Sequence, residues 1–250
     1  MADPIGIDFG GSGIKAAPVN LDTGEFSADR ERIETPEKSS PEAVADVMAE
    51  LLERFEGHDS PVGVTIPGVV RKSGEVASAA NIDKSWIGTD ADDLLGKRLG
   101  RTVRVINDAD AAGLAEARYG VAKGREGLVI VTTLGTGIGS ALLYDGVLVP
   151  NTELGHIELD GHDAESRAAN SARERDDLSW EEWGKRLTKY YRALERLFSP
   201  DLFVVGGGVS KHGAKFIPLI DVATEIVTAE LRNTAGIVGA AALAADRAAG

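Results

Sequence analysis

The sequence predicts an α/β protein made of two similar halves that face each other across a cleft. Three observations carry this. A strand, a glycine-rich tip and a second strand occur twice, in "IGIDFGGSGIKAAPV" and again in "GLVIVTTLGTGIGSALLYDGVLV". Helical segments with an apolar stripe alternate with short apolar strands. A third glycine cluster closes the buried strand of "DLFVVGGGVS". Gly11-Ser12-Gly13-Ile14 has its counterpart in Gly135-Thr136-Gly137-Ile138, which points to an internal duplication. Two glycine hairpins that arose separately are the plainer alternative.

The elements follow in order. "IGIDF" is apolar and extended, and the glycines after it join strand to strand, so the loop is a hairpin tip and not a helix start. After a turn at Asp22-Thr23-Gly24 the chain returns as an alternating strand. Ser40 and Pro41 open a helix whose stripe is Ala43, Val44, Val47, Met48, Leu51, Leu52 and Phe55, with Gly57 ending it. "PVGVTIPGVV" is a buried strand running into a loop, and "DADDLLGKRLG" a short helix. "TVRVIND" is a strand that ends on Asn107 and Asp108, followed by the helix of "DAAGLAEARYG". The second hairpin is extended by a turn at Asp145-Gly146. After residue 150 the chain becomes mostly helical. Ser179-x-x-Glu182 is a capping box, and Trp183, Leu187, Tyr190, Leu194 and Leu197 are the core face of the helix it starts. "AGIVGAAALAADRAAG" is a C-terminal helix. Hinges near residues 109 and 236 divide the chain into a first domain, 1–109, with 236–250 packing back on it, and a second, 110–235.

Totals narrow the function classes. The 250 residues carry 27 basic and 40 acidic side chains, a net charge of −13, which disfavours bulk attraction to nucleic acid or an anionic membrane. No run of eighteen apolar residues offers a membrane span, and the N-terminus has no basic segment or apolar signal core. With no cysteine, disulfides and thiolate metal sites are excluded, which fits an intracellular, cytoplasmic protein.

The chemistry these residues suit is phosphoryl transfer, which needs cradled phosphates, a metal and a base beside the attacking hydroxyl. Gly10, Gly11, Ser12 and Gly13 offer backbone amides as an anion nest, with Lys15 as a nearby cation. Thr133, Gly135, Thr136 and Gly137 form a second cradle, and Gly206, Gly207 and Gly208 a third close approach of backbone. Asp8 ends the first strand, where a carboxylate can hold Mg²⁺ through water or merely cap the turn. Asp108 is the candidate general base, although Asn-Asp before a helix is also an N-cap pattern. Glu153, His156 and Glu165 in "ELGHIELDGHDAE" suit a polyol; zinc and a buried structural network are the rivals.

Taken together, "GIDFGGSGIK", "IPGVV", "NDADAAGLAE", "TLGTGIGSAL", "ELGH" and "VVGGGVS" resemble, in order, the ROK family of sugar kinases and repressors, a branch of the actin-like ATPases. "ANIDKSWIGTDA" and "LFSPDLFVVGGGVSK" resemble its polyphosphate glucokinases. The resemblance implies two actin-like (ribonuclease H-like) domains and phosphorylation of the glucose 6-hydroxyl from polyphosphate, ATP or both, with Mg²⁺. It makes Asp108 the base and Asn81, Asn107, Asp108, Glu153, His156 and Glu165 sugar contacts, with Glu158 competing for the place of Glu165 and Gly68 approaching by backbone. The missing cysteines depart from the family's zinc loop, so no zinc is expected and His156 is left to the sugar. A homodimer is implied, with no nucleic-acid or membrane partner. Lys15, Lys72 and Lys84 are expected near the donor, whereas Arg98, Arg101 and Arg104 read as a solvated face. A strictly ATP-dependent hexose or amino-sugar kinase is the alternative. A repressor is disfavoured because the first strand begins too early for a preceding DNA-binding domain, and a silent sugar-binding module because Asp108 is in place.

Overall fold

The computed structural model describes residues 3–55 and 60–248. The expected helix stop at Gly57 and the last two residues of the C-terminal helix segment lie outside them. The chain forms two compact units, one of residues 1–115 with 234–250 and one of residues 116–233.

The first unit contains β1 (Ile5–Gly10), β2 (Gly13–Pro18), β3 (Glu31–Ile33), α1 (Pro41–Leu52), β4 (Val62–Ile66), α2 (Ala91–Leu99), β5 (Val103–Asn107) and most of α3 (Asp108–Tyr119). The second contains β6 (Leu128–Leu134), β7 (Ile138–Tyr144), β8 (Val147–Val149), β9 (Glu158–Leu159), β10 (His162–Asp163), α4 (Glu165–Ala168), α5 (Asn170–Arg175), α6 (Trp180–Phe198), β11 (Leu202–Gly206), α7 (Gly213–Phe216) and β12 (Glu225–Thr228). Helix α8 (Ala235–Ala248) returns to the first unit.

Strand for strand the two main sheets have the same topology. The first is ordered β3-β2-β1-β4-β5, the second β8-β7-β6-β11-β12. In each, the opening hairpin and its third strand are antiparallel, and two further strands join parallel on the other side. A duplicated α/β unit gives this repetition.

In the first unit the strand period of two sorts the faces of β1. Ile5, Ile7 and Phe9 pack with Val44, Met48 and Leu51 of α1 and Leu95 of α2. Gly6 and Asp8 lie on the opposite face, beside α8. Small residues are required there. A Cβ at Gly6 would collide with the carbonyl of Ile237, and one at Gly63 with that of Ala240. Ser40 caps α1 and Asp90 caps α2, whose left-handed C-cap is Gly100.

In the second unit, α6 begins with both halves of the capping box between Ser179 and Glu182. Its Trp183, Leu187, Tyr190, Tyr191 and Leu194 pack against Ile130, Phe203 and Val205 of the sheet. Leu197 departs from expectation and is 63% exposed. Phe198, four residues after Leu194, takes the packing position in the last turn. The edge strand β12 was also not anticipated. It is short and half-exposed, so its sequence carries no period-two signal. Residues Asp145 and Gly146, both at positive φ, make the two-residue turn between β7 and β8.

Candidate active site

In the first unit the β1–β2 hairpin places Gly10 opposite Gly13 and Asp8 opposite Lys15. Lys15 donates to Asp8 Oδ2 at 3.1 Å, and the Thr65 hydroxyl donates to Oδ1 at 3.1 Å. Asp8 is thus fixed on both oxygens, and the Lys15 ammonium is directed to it. Two residues not anticipated hold the tip. Arg32 donates to the carbonyl of Ser12 at 2.8 Å, and Thr35 to that of Gly10 at 2.6 Å. Engaging these carbonyls removes acceptors that would repel an anion.

At the end of β5, Asn107 is buried and makes three bonds. Its Oδ1 accepts from Ala109 and Asp110, at 2.8 and 3.0 Å, as a cap for α3, and its Nδ2 donates to the carbonyl of Gly68 at 3.0 Å. The capping reading of the Asn-Asp pair therefore describes Asn107. Asp108 opens α3 with an exposed side chain whose Oδ1 accepts from the Ala109 amide at 2.9 Å. Gly68 lies against Ser78, whose carbonyl leaves no room for a side chain. Asn81 is exposed, at a φ of 59°, beside Gly11.

In the second unit, β6 and β11 run parallel with Thr133 in register with Gly206, so both glycine segments leave the sheet at one end. Gly207 has a φ of 81° and abuts the backbone of Leu134, which demands glycine. Gly135 and Gly208 differ, since a Cβ on either would meet nothing within 4 Å. Gly135 donates to the carbonyl of Gly137 at 3.0 Å. Ser171, another residue not anticipated, donates its hydroxyl to Thr136 and its amide to Gly135, at 2.5 and 3.0 Å.

Glu165 Oε2 accepts the amide of Ile138 at 2.9 Å, which ties this carboxylate to the second glycine tip. Its Oε1 lies 4.0 Å from His156 Nδ1. His156 Nδ1 is 2.9 Å from Asp163 Oδ2, and Nε2 is 3.9 Å from Glu153 Oε2. The Ser140 hydroxyl accepts from Leu154 and donates to the Thr152 carbonyl, which positions the segment bearing Glu153. Four groups thus gather: Glu153, His156, Asp163 and Glu165. Glu158 pairs with Asp163 only across the β9–β10 ladder and is exposed. Asp163 was missed by sequence reasoning, although it stands two residues before Glu165 in "HDAE".

The hydrogen bond with Asp163 raises the pKa of His156, against burial, with Glu165 and Glu153 adding to the rise. Burial raises the pKa of Glu153, which His156 partly offsets. His156, Asp163 and Glu165 bring donor atoms within 4.8 Å of one another, close enough for one ion. The His156–Asp163 hydrogen bond would have to give way to it.

The expected cations divide. Lys84 donates to the carbonyl of Ala79, and Lys72 is exposed. Arg98 pairs with Asp46 at 2.6 Å on the exposed surface, as a solvated face requires, whereas Arg104 departs from that expectation and pairs at 2.9 Å with Asp92, which is largely buried.

Residues 4–168 match the ROK family. The polyphosphate glucokinase of Mycobacterium tuberculosis is 52% identical over 94% of this chain and 89% of its own length. An inorganic polyphosphate/ATP-glucomannokinase structure from Arthrobacter sp. strain KM is 54% identical, covers 99% of this chain and 100% of its own, and superposes with a TM-score of 0.94. A ROK family glucokinase from Streptomyces griseus, solved with glucose and AMPPNP, is 26% identical over 97% of this chain and 99% of its own, with a TM-score of 0.84. The two repeated α/β units are of the actin-like kind, and this chain belongs to the ROK family.

Proposed function

We propose that this protein is a polyphosphate-dependent glucokinase. The observation that carries this reading is the 52–54% identity, across nearly the whole chain, to a polyphosphate glucokinase and a polyphosphate/ATP-glucomannokinase. In the reaction, glucose O6 attacks the terminal phosphorus of polyphosphate. The new bond is O6–P, the bridging P–O bond breaks, and the shortened chain leaves with the electron pair. Asp108 accepts the hydroxyl proton. Its exposure at the start of α3, and the Asn107 cap that fixes that start, support the assignment.

The sugar is held by Glu153, His156 and Glu165 together with Asn81, Asn107 and the Gly68 backbone. Glu165 is preferred to Glu158 because it stands beside His156. Asn107 has one amide hydrogen left for a ligand once its three bonds are made. The donor's phosphates lie against Gly10–Gly13, Thr133–Gly137 and Gly206–Gly208. Support comes from Gly135 and Gly208, where packing leaves room for a side chain and the sequence keeps none. The carboxylate of Asp8 suits Mg²⁺ through water, because Lys15 and Thr65 already bond its oxygens. Mg²⁺ would neutralise charge on the phosphates. A homodimer in the cytoplasm completes the reading, on the family resemblance.

ATP is the second donor, favoured by the Arthrobacter protein's description as a polyphosphate/ATP enzyme. The test is glucose 6-phosphate formation by the purified protein with Mg²⁺ and nucleotide-free polyphosphate, beside ATP, over several sugars. Product from polyphosphate and glucose is expected. Product from ATP alone would make this an ATP-dependent kinase.

A further inference from the structure

A second feature of the second unit bears on where a long donor goes. Immediately after Gly206 and Gly207, a 3-10 turn spans Gly208–His212 and leads into α7. Around Trp180, at the start of α6, three basic groups converge. Arg173 Cζ is 4.4 Å from the indole centroid, Lys215 Nζ is 5.7 Å from it, and the His212 ring is 5.8 Å away.

Cations on an indole face are individually favourable. Two held on one ring repel each other, so an anion bound there would be stabilised. Little in the fold supplies that anion. Arg173 donates from Nε to Asn170 Oδ1 at 3.1 Å and has Glu174 at 3.6 Å, while Lys215 and His212 have no ion-pair partner among the described residues. Lys215 is exposed, in a chain whose net charge is −13.

An aromatic base is a poor fit for this place. Phe216 lies nearly parallel to the indole, at 6.0 Å and 17°, and Arg173 also covers the ring. A ligand of phosphate oxygens needs only the cations.

We propose that Arg173, His212 and Lys215, organised on Trp180, form a subsite for the distal phosphates of polyphosphate, one turn beyond the glycine segment that takes the reacting end. It rests on the polyphosphate reading above. Nucleoside triphosphate, with three phosphates, has no comparable tail to place there.

The test uses the full chain, with Lys215→Gln and Arg173→Gln singly and together. KM for long-chain polyphosphate should rise about three- to tenfold per cation removed, and its dependence on salt should flatten. KM for tripolyphosphate, KM for glucose and kcat should stay the same. The second readout is tryptophan emission, since Trp86 and Trp183 are fully buried and Trp180 is not. Long-chain polyphosphate should shift the emission of the wild type, and Trp180→Phe should abolish the shift. Unchanged KM in the double variant, with wild-type turnover on polyphosphate, would overturn the subsite and leave the donor reading standing. A shift that Lys215→Gln abolishes, in a wild type making no glucose 6-phosphate from polyphosphate, would keep the subsite and sink the donor reading. No shift and no change in KM would end the proposal.

Discussion

Asn107 donates its side-chain amide to the carbonyl of Gly68 while its Oδ1 caps the helix that Asp108 opens. One buried side chain thus fixes the "IPG" loop and the helix of the candidate base together, and the two neighbours should fail differently. Asp108→Asn keeps the shape and removes the proposed proton acceptor, so kcat should fall by about 10²–10⁴-fold with an unchanged melting temperature. Asn107→Ala should cost stability as well, about 1 kcal/mol for the lost cap alone. Thermal melts beside initial rates separate the two. A turnover for Asp108→Asn near wild type would remove the base assignment.

The third glycine cluster allows a similar contrast. Gly207→Ala meets both a φ of 81° and the backbone of Leu134, so it should lower the yield of folded protein or the melting temperature strongly. Gly208→Ala adds a methyl group to open space and should fold normally. Its expected defect is a raised KM for the phosphoryl donor, with KM for glucose unaltered. Wild-type kinetics in Gly208→Ala would show that this position gives no close approach to phosphate.

Much of this was legible because strand-tip-strand segments and capping boxes are local. Ser179 and Glu182 announced α6, and the repeated glycine hairpins announced two sheets of one topology. The groups that steady the tips were not legible. Arg32 reaches Ser12 from the third strand, and Ser171 reaches Thr136 from a helix, so neither shares a local pattern with the loop it holds. Asp163 was nearer to being found, since it shares a motif with His156 and Glu165. Its role depends on the β9–β10 turn bringing it back to the imidazole. Leu197 shows a different error, since in the last turn of α6 it is Phe198, four residues after Leu194, that faces the core.

Helix α8 should be the most substitution-sensitive layer of the first unit. Its backbone touches β1 and β4 where Gly6 and Gly63 lack side chains. Gly6→Ala or Gly63→Ala must push the helix outward, at about 1–3 kcal/mol or more for each. Because Gly236, in the first turn of α8, lies next to Asp8, the same displacement should disturb the candidate Mg²⁺ carboxylate. Denaturant melts should show the stability loss, and a Mg²⁺ titration of the rate should show a higher half-saturation. A stable variant with unaltered Mg²⁺ response would mean that the helix does not position Asp8.

The His156 cluster predicts how stability follows pH. The pKa of His156 is raised in the folded chain, by the Asp163 hydrogen bond first and then by Glu165 and Glu153. A folded chain that holds this proton more tightly than the unfolded one is favoured while the proton is bound. The stabilisation is complete below the unfolded value of about 6.5 and is lost as pH rises through the folded value. Glu153, also raised, acts in the same direction at lower pH, because burial penalises the carboxylate that forms as the proton leaves. The melting temperature should therefore decline as pH rises above about 6.5, by a modest amount because the imidazole is partly exposed. His156→Gln, which cannot titrate, should flatten the slope in that window, and Asp163→Asn should reduce it by removing the principal cause. Identical slopes in the wild type and His156→Gln would show that another group sets the pH response.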